Sequence, residues 1–125
     1  WVISNPPVIL LDMHLASLEI FNKVGLKNIF SKSKSLTQFL YDGLINIKNY
    51  SDFFEIITPQ ESHRRGAQLS LYFFNNSEDI FQQLNKKFVI DYRKPNVLRI
   101  APVPLYNSYL EVYIFVRFLE KLLND

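Results

Sequence analysis

One arginine dominates the chemistry that this chain offers. Arg99 interrupts the apolar run Asn96-Val97-Leu98-Arg99-Ile100-Ala101, which leads directly into Pro102-Val103-Pro104-Leu105-Tyr106-Asn107-Ser108. A guanidinium keeps its proton at any ordinary pH and presents its donors in a rigid planar fork. A strand that carries one among apolar neighbours therefore requires an anion. Two kinds meet the need: an aspartate or glutamate of the same chain, or a bound carboxylate or phosphate. The residues alone leave both open.

The pattern holds no other self-contained chemistry. His14 and His63 stand far apart, and neither has a metal-ligand neighbour three or four residues away. Asp12, Glu19, Asp42 and Asp52 form no closely spaced carboxylate pair, and the serines fall in no Ser-His-Asp order. With three isolated glycines there is no phosphate loop, and with no cysteine there is no disulfide, thiolate metal site or thiol nucleophile. No residue is assigned to catalysis or to metal binding. The chain reads as part of an active site.

Composition fits one globular domain over residues 1–125: 48% of residues are hydrophobic and 21% charged. A net charge of +2 is too small to imply a nucleic acid or an acidic membrane as partner. Lys23, Lys27, Lys32 and Lys34 instead read as the solvated side of two helices. No apolar stretch reaches the about 18 residues that crossing a bilayer requires. Because the chain begins at Trp1, a fragment or a processed product is the expectation, with any targeting segment upstream.

The elements that position Arg99 follow from periodicity. Asn5-Pro6-Pro7 suits a helix start, since asparagine caps and proline is tolerated in the first turn. The helix carries Leu11, Leu15 and Leu18 on one stripe and stops near Gly25. A second helix over 26–48 repeats apolar residues at Ile29, Leu36, Phe39, Leu40 and Leu44, and the two are expected to pack together. Residues 53–58 then read as a short strand, and 68–74 as an alternating one with Leu69, Leu71 and Phe73 on one face and Gln68, Ser70 and Tyr72 on the other. The stretch 59–66 is an exposed loop.

Asn75-Asn76-Ser77 starts a helix to about residue 87, and strands at 89–92 and 97–101 flank Arg93-Lys94-Pro95-Asn96 as a hairpin turn. Ser108-Tyr109-Leu110-Glu111 is a capping box ahead of a last helix that buries Val112, Phe115, Val116, Leu119 and Leu122. The order predicts an α+β fold, a small and mostly antiparallel sheet covered by helices.

The run from Arg99 to Ser108 resembles the C-terminal signature of the kynureninase family. Ser4-Asn5-Pro6-Pro7, Ile56-Ile57-Thr58-Pro59 with Arg65-Gly66-Ala67-Gln68-Leu69-Ser70, and Asp91-Tyr92-Arg93-Lys94-Pro95-Asn96 agree with it in order and spacing. The resemblance implies the small domain of an aspartate-aminotransferase-type enzyme dependent on pyridoxal 5'-phosphate. Its large domain would lie upstream with the lysine that carries the cofactor and most of the phosphate cradle.

Such an enzyme hydrolyses L-kynurenine, 3-hydroxy-L-kynurenine or both to L-alanine and an anthranilate. By the same resemblance Arg99 receives the substrate's α-carboxylate, while Asn5 lies near the cofactor phosphate and the substrate ring across a dimer interface. A cytoplasmic homodimer acting on a small molecule is the corresponding expectation, and the isolated chain should be inactive. The alternative is a non-enzymatic α+β ligand-binding or interaction module in which Arg99 pairs with another acid. One departure from the family pattern is the absence of a glycine at Lys86-Lys87, which predicts either a left-handed Lys87 at a cost of about 1 kcal/mol or a different turn.

Overall fold

The computed structural model describes residues 7–124. Ten short elements follow the periodicity closely. Helices α1 (Val8–Val24) and α2 (Leu26–Ile45) lead through a third, single-turn helix α3 (Tyr50–Phe53) into strand β1 (Phe54–Ile56). A 3-10 turn (Ser62–Arg64) precedes β2 (Leu69–Phe73) and α4 (Ser77–Asn85), and the hairpin β3 (Asp91–Arg93) and β4 (Val97–Ile100) precedes α5 (Tyr109–Asn124). The strands form one antiparallel sheet in the order β1-β2-β4-β3. This is the expected α+β architecture.

Alternation decides which face of the sheet is buried. Phe54, Leu69, Leu71, Phe73, Leu98 and Ile100 turn inward onto Leu36, Leu40 and Leu44 of α2, Leu84 of α4, and Val112, Phe115, Val116 and Leu119 of α5. Each large apolar side chain taken fully out of water stabilises the fold by about 1.5–3 kcal/mol. Gly43 lets α2 approach α5 closely, since a Cβ there would lie 3.0 Å from Val116 Cγ2. The capping box forms as read: Glu111 accepts hydrogen bonds from the Ser108 backbone N–H (2.6 Å) and hydroxyl (2.8 Å).

The hairpin is tied to α4 by a buried serine. The Ser77 hydroxyl lies within hydrogen-bond distance of the Tyr92 phenol (3.0 Å), the Pro95 carbonyl (3.2 Å) and Asn96 Oδ1 (3.2 Å). The Tyr92 ring stacks on Phe81 of α4, with centroids 5.0 Å apart. Position 77 reads in sequence only as a helix start, yet it holds the turn that sets the β3–β4 register.

Three local expectations are corrected. Phe53 closes the helical turn α3 instead of opening a strand, because Asn49 takes a left-handed conformation (φ 57°) that starts a new turn. Strand β3 spans Asp91–Arg93 in place of 89–92, because Arg93 pairs with Val97 and the hairpin loop is only 94–96. Of the two alternatives at Lys87 the different turn is the one found: α4 ends at Asn85, and the Lys87 and Phe88 N–H groups both donate to the Leu84 carbonyl (2.9 Å each).

The third correction concerns α1, which meets α2 at their junction, where Asn28 Nδ2 donates to the Val24 carbonyl (2.8 Å), but buries none of its residues. Ile9, Leu10, Leu11, Met13, Leu15 and Ile20 surround the helix instead of forming one stripe, the pattern of a helix enclosed on several sides. Meanwhile α2 turns its apolar face to the sheet and α5.

Candidate functional site

Arg99 sits on β4, an interior strand, opposite Ser70 of β2 on one side and Asp91 of β3 on the other. Its neighbours Leu98 and Ile100 face the core, so alternation sends the arginine to the face that no described helix covers. Its side chain keeps 32% of its surface exposed. The strand expected over 97–101 is found as β4 in the interior of the sheet, with Arg99 on the side away from the core.

The internal acid that the sequence left open is present. Arg99 Nε donates to Asp91 Oδ2 at 2.5 Å, and Arg93 Nε donates to the same oxygen at 2.9 Å. The Arg99 hydrogen bond holds the Asp91 carboxyl below the ordinary carboxylate range, with the Arg93 bond and both cationic charges acting in the same direction against partial desolvation. Two guanidiniums therefore share one carboxylate, and the cluster carries a net charge of +1. Among the described residues nothing accepts a hydrogen bond from the terminal nitrogens of Arg99.

Arg65 of the same chain has both terminal nitrogens of its guanidinium engaged by internal partners. Its Nη2 donates to Gln38 Oε1 (2.5 Å), its Nη1 to the Gln60 and Pro59 carbonyls (2.6 and 3.2 Å), and its guanidinium lies 4.7 Å from the Tyr41 ring centre. Both ends of that fork are used. Arg99 is held by its Nε alone.

The segment after β4 is locked by Asn107, for which the sequence offered no role. Asn107 Oδ1 accepts from the Val103 N–H (2.7 Å) while the Asn107 N–H donates to the Val103 carbonyl (2.8 Å), closing the loop in which Pro102 is buried. Asp91 was missed as a site residue because a four-residue turn at 93–96 would place Ile90 opposite Arg99. Arg93 belongs to β3, so the hairpin loop is the three residues 94–96, which pairs 93 with 97 and hence 91 with 99. Asn5 lies outside the described residues.

Among the described residues no helix is long and apolar enough to cross a membrane. In fold, the chain is similar to a solved C-DES mutant with glycine covalently linked to its PLP cofactor, with a TM-score of 0.69 and 14% identity over 85% of this chain and 27% of that one. In sequence, residues 29–119 match the model of the kynureninase C-terminal domain. Curated kynureninases from Monosiga brevicollis and Homo sapiens are each 42% identical, and that of Mus musculus 40%, over 98% of this chain. The chain spans only 27–28% of the length of these three relatives. It belongs to the kynureninase family and corresponds to that family's C-terminal domain.

Proposed function

We propose that this chain is the C-terminal domain of a pyridoxal-phosphate-dependent hydrolase, a kynureninase. The complete enzyme cleaves the Cβ–Cγ bond of L-kynurenine, 3-hydroxy-L-kynurenine or both with water, releasing L-alanine and the matching anthranilate in tryptophan catabolism and on a route to NAD. The observation that carries this reading is the free Nη edge of Arg99 on the uncovered sheet face, in a chain that aligns with kynureninases over nearly its whole length.

Arg99 receives the α-carboxylate through two parallel charge-assisted hydrogen bonds. Gripping the acid end fixes rotation about Cα and presents the Cα–H bond to a base supplied by the rest of the enzyme, so the arginine contributes by positioning. Pyridoxal phosphate, when bound, supplies the electron sink for the pair left at Cα. The described residues fit the acid end of the substrate, and the resemblance to kynureninases assigns the lysine that carries the cofactor to a large domain upstream. The anchor and the base belong to the part of the protein that relatives carry beyond the matched region, and the 125 residues alone are inactive.

In a cytoplasmic homodimer, Asn5 approaches the cofactor phosphate and the substrate ring across the interface. Its amide both donates and accepts, which suits a ring hydroxyl, and a substrate lacking that group leaves a buried partner unsatisfied. The enzyme then uses 3-hydroxykynurenine at least as well as kynurenine. Comparing kcat/KM for both substrates in wild type and Asn5→Thr tests this, and a strong wild-type preference for the unhydroxylated substrate refutes it.

A structural role for Arg99 is the second reading, favoured by its bond to Asp91. The two separate cleanly in the complete enzyme. If Arg99 grips substrate, Arg99→Lys loses the bidentate contact, worth about 1.5–3 kcal/mol for a charge-assisted hydrogen bond, and kcat/KM falls about 10- to 100-fold. Under the structural reading kcat/KM is unchanged.

A further inference from the structure

We infer that Asp91 is a positioning residue that sets how Arg99 presents itself to an anion, forcing end-on recognition through Nη1 and Nη2. This rests on the carboxylate-binding reading of Arg99 and adds a second residue to that site. A guanidinium offers a carboxylate two bidentate edges, the side-on Nε/Nη edge and the end-on Nη1/Nη2 edge. Asp91 Oδ2 occupies Nε at 2.5 Å, which leaves the end-on edge.

The arrangement is built from the backbone upward. Asp91 and Arg99 are register partners on adjacent antiparallel strands, so their side chains leave the same face next to each other. The Ser77 clamp on the hairpin turn holds that register from the core side. A single hydrogen bond at Nε stops the guanidinium plane from turning about its long flexible stem, which a salt bridge at Nη would do less well and at the expense of the anion.

Arg93 completes the device. An unaccompanied aspartate beside the binding edge would repel an incoming carboxylate, but Arg93 Nε donates to the same Asp91 oxygen at 2.9 Å and leaves the trio at a net charge of +1. The Asp91 carboxyl is also held in its charged form by these partners, so it remains an acceptor and does not compete as a donor. Asp91 thus steers without cancelling the attraction.

The test uses the complete enzyme with its cofactor and two ligands, L-kynurenine and the amine obtained by removing its α-carboxyl group. Asp91→Asn is expected to lower kcat/KM for L-kynurenine about 10- to 100-fold, as misplacement of a clamp does, while the inhibition constant of the carboxyl-free amine stays within about twofold of wild type. Asp91→Glu, which keeps the charge but shifts the oxygen, is expected to recover part of the loss and also serves if Asp91→Asn folds poorly.

Equal weakening of both ligands in folded Asp91→Asn and Asp91→Glu overturns the proposal, because a merely structural defect does not discriminate by carboxylate. Unchanged kinetics in the Asp91 variants alongside a loss in Arg99→Lys overturns it while leaving the carboxylate reading intact. Unchanged kinetics in Arg99→Lys removes both.

Discussion

Replacing Gly43 with alanine sets two opposing effects against each other on the helix pair that backs the sheet. Gly43 lies inside α2, where alanine is better than glycine by about 1 kcal/mol because it restricts the unfolded chain and covers the backbone. The new methyl would lie 3.0 Å from Val116 Cγ2, 3.4 Å from Cγ1 and 3.6 Å from Cβ. Carbon atoms attract best at about 3.5–4.0 Å, so the first contact is repulsive. Val116 is itself buried on α5 and has little room to give. Overpacking of this kind costs about 1–3 kcal/mol, which outweighs the helical gain and leaves Gly43→Ala less stable by up to about 2 kcal/mol.

Val116→Ala removes the obstacle, so the double variant should be more stable than the sum of the single changes predicts, with a coupling of about 1 kcal/mol or more. Urea unfolding followed by far-UV circular dichroism on the 125-residue chain measures all four corners of this cycle. A gain of the full helical increment in Gly43→Ala alone, or strict additivity in the double variant, would refute the close-packing argument.

Two further outcomes are expected of the same chain. Asp91 and Glu111 both titrate below the usual carboxylate range in the folded state, Asp91 chiefly through Arg99 and Glu111 through the Ser108 backbone N–H and hydroxyl. The stability they contribute is fully present above the unfolded carboxylate pKa of about 4 and disappears as pH falls through their folded values. An acid unfolding series should therefore fall less steeply in the Asp91→Asn/Glu111→Gln double variant than in wild type, and parallel curves would contradict this. The apolar residues around α1 should also drive self-association, visible as concentration-dependent sedimentation that Leu15→Lys with Leu18→Lys reduces; a clean wild-type monomer would show that α1 is tolerated bare.

The elements that read most clearly in the sequence are those whose own pattern decides their surroundings. Leu69, Leu71 and Phe73 alternate because one side of β2 meets the core, and Val112, Phe115, Val116 and Leu119 recur at helical spacing because α5 has one partner surface. The Ser108–Glu111 capping box is legible because all its partners lie within four residues. Where an outcome depends on distant partners, periodicity is silent. Asn49 and Asn76 both adopt left-handed conformations, and neither the extra turn at Tyr50–Phe53 nor the reach of Ser77 to the hairpin turn follows from local spacing.

The expected packing of α1 on α2 failed for the same reason, since what an apolar helix covers is set by everything around it. Arg99 stands between these cases. Its need for an anion was legible from its apolar neighbours, but counting pairs outward from a 93–96 turn reaches Ile90; Asp91 comes opposite only because Arg93 joins the strand and shortens the loop to 94–96. The free Nη edge is a matter of side-chain geometry that only the structure supplies.

The most direct measurement of the central claim is a crystal structure of the complete, cofactor-loaded protein with a non-reactive kynurenine analogue that keeps its α-carboxylate. Both carboxylate oxygens are expected within hydrogen-bond distance of Arg99 Nη1 and Nη2, with Asp91 remaining on Nε. A carboxylate bound by another residue, with Arg99 contacting only Asp91, would contradict that claim.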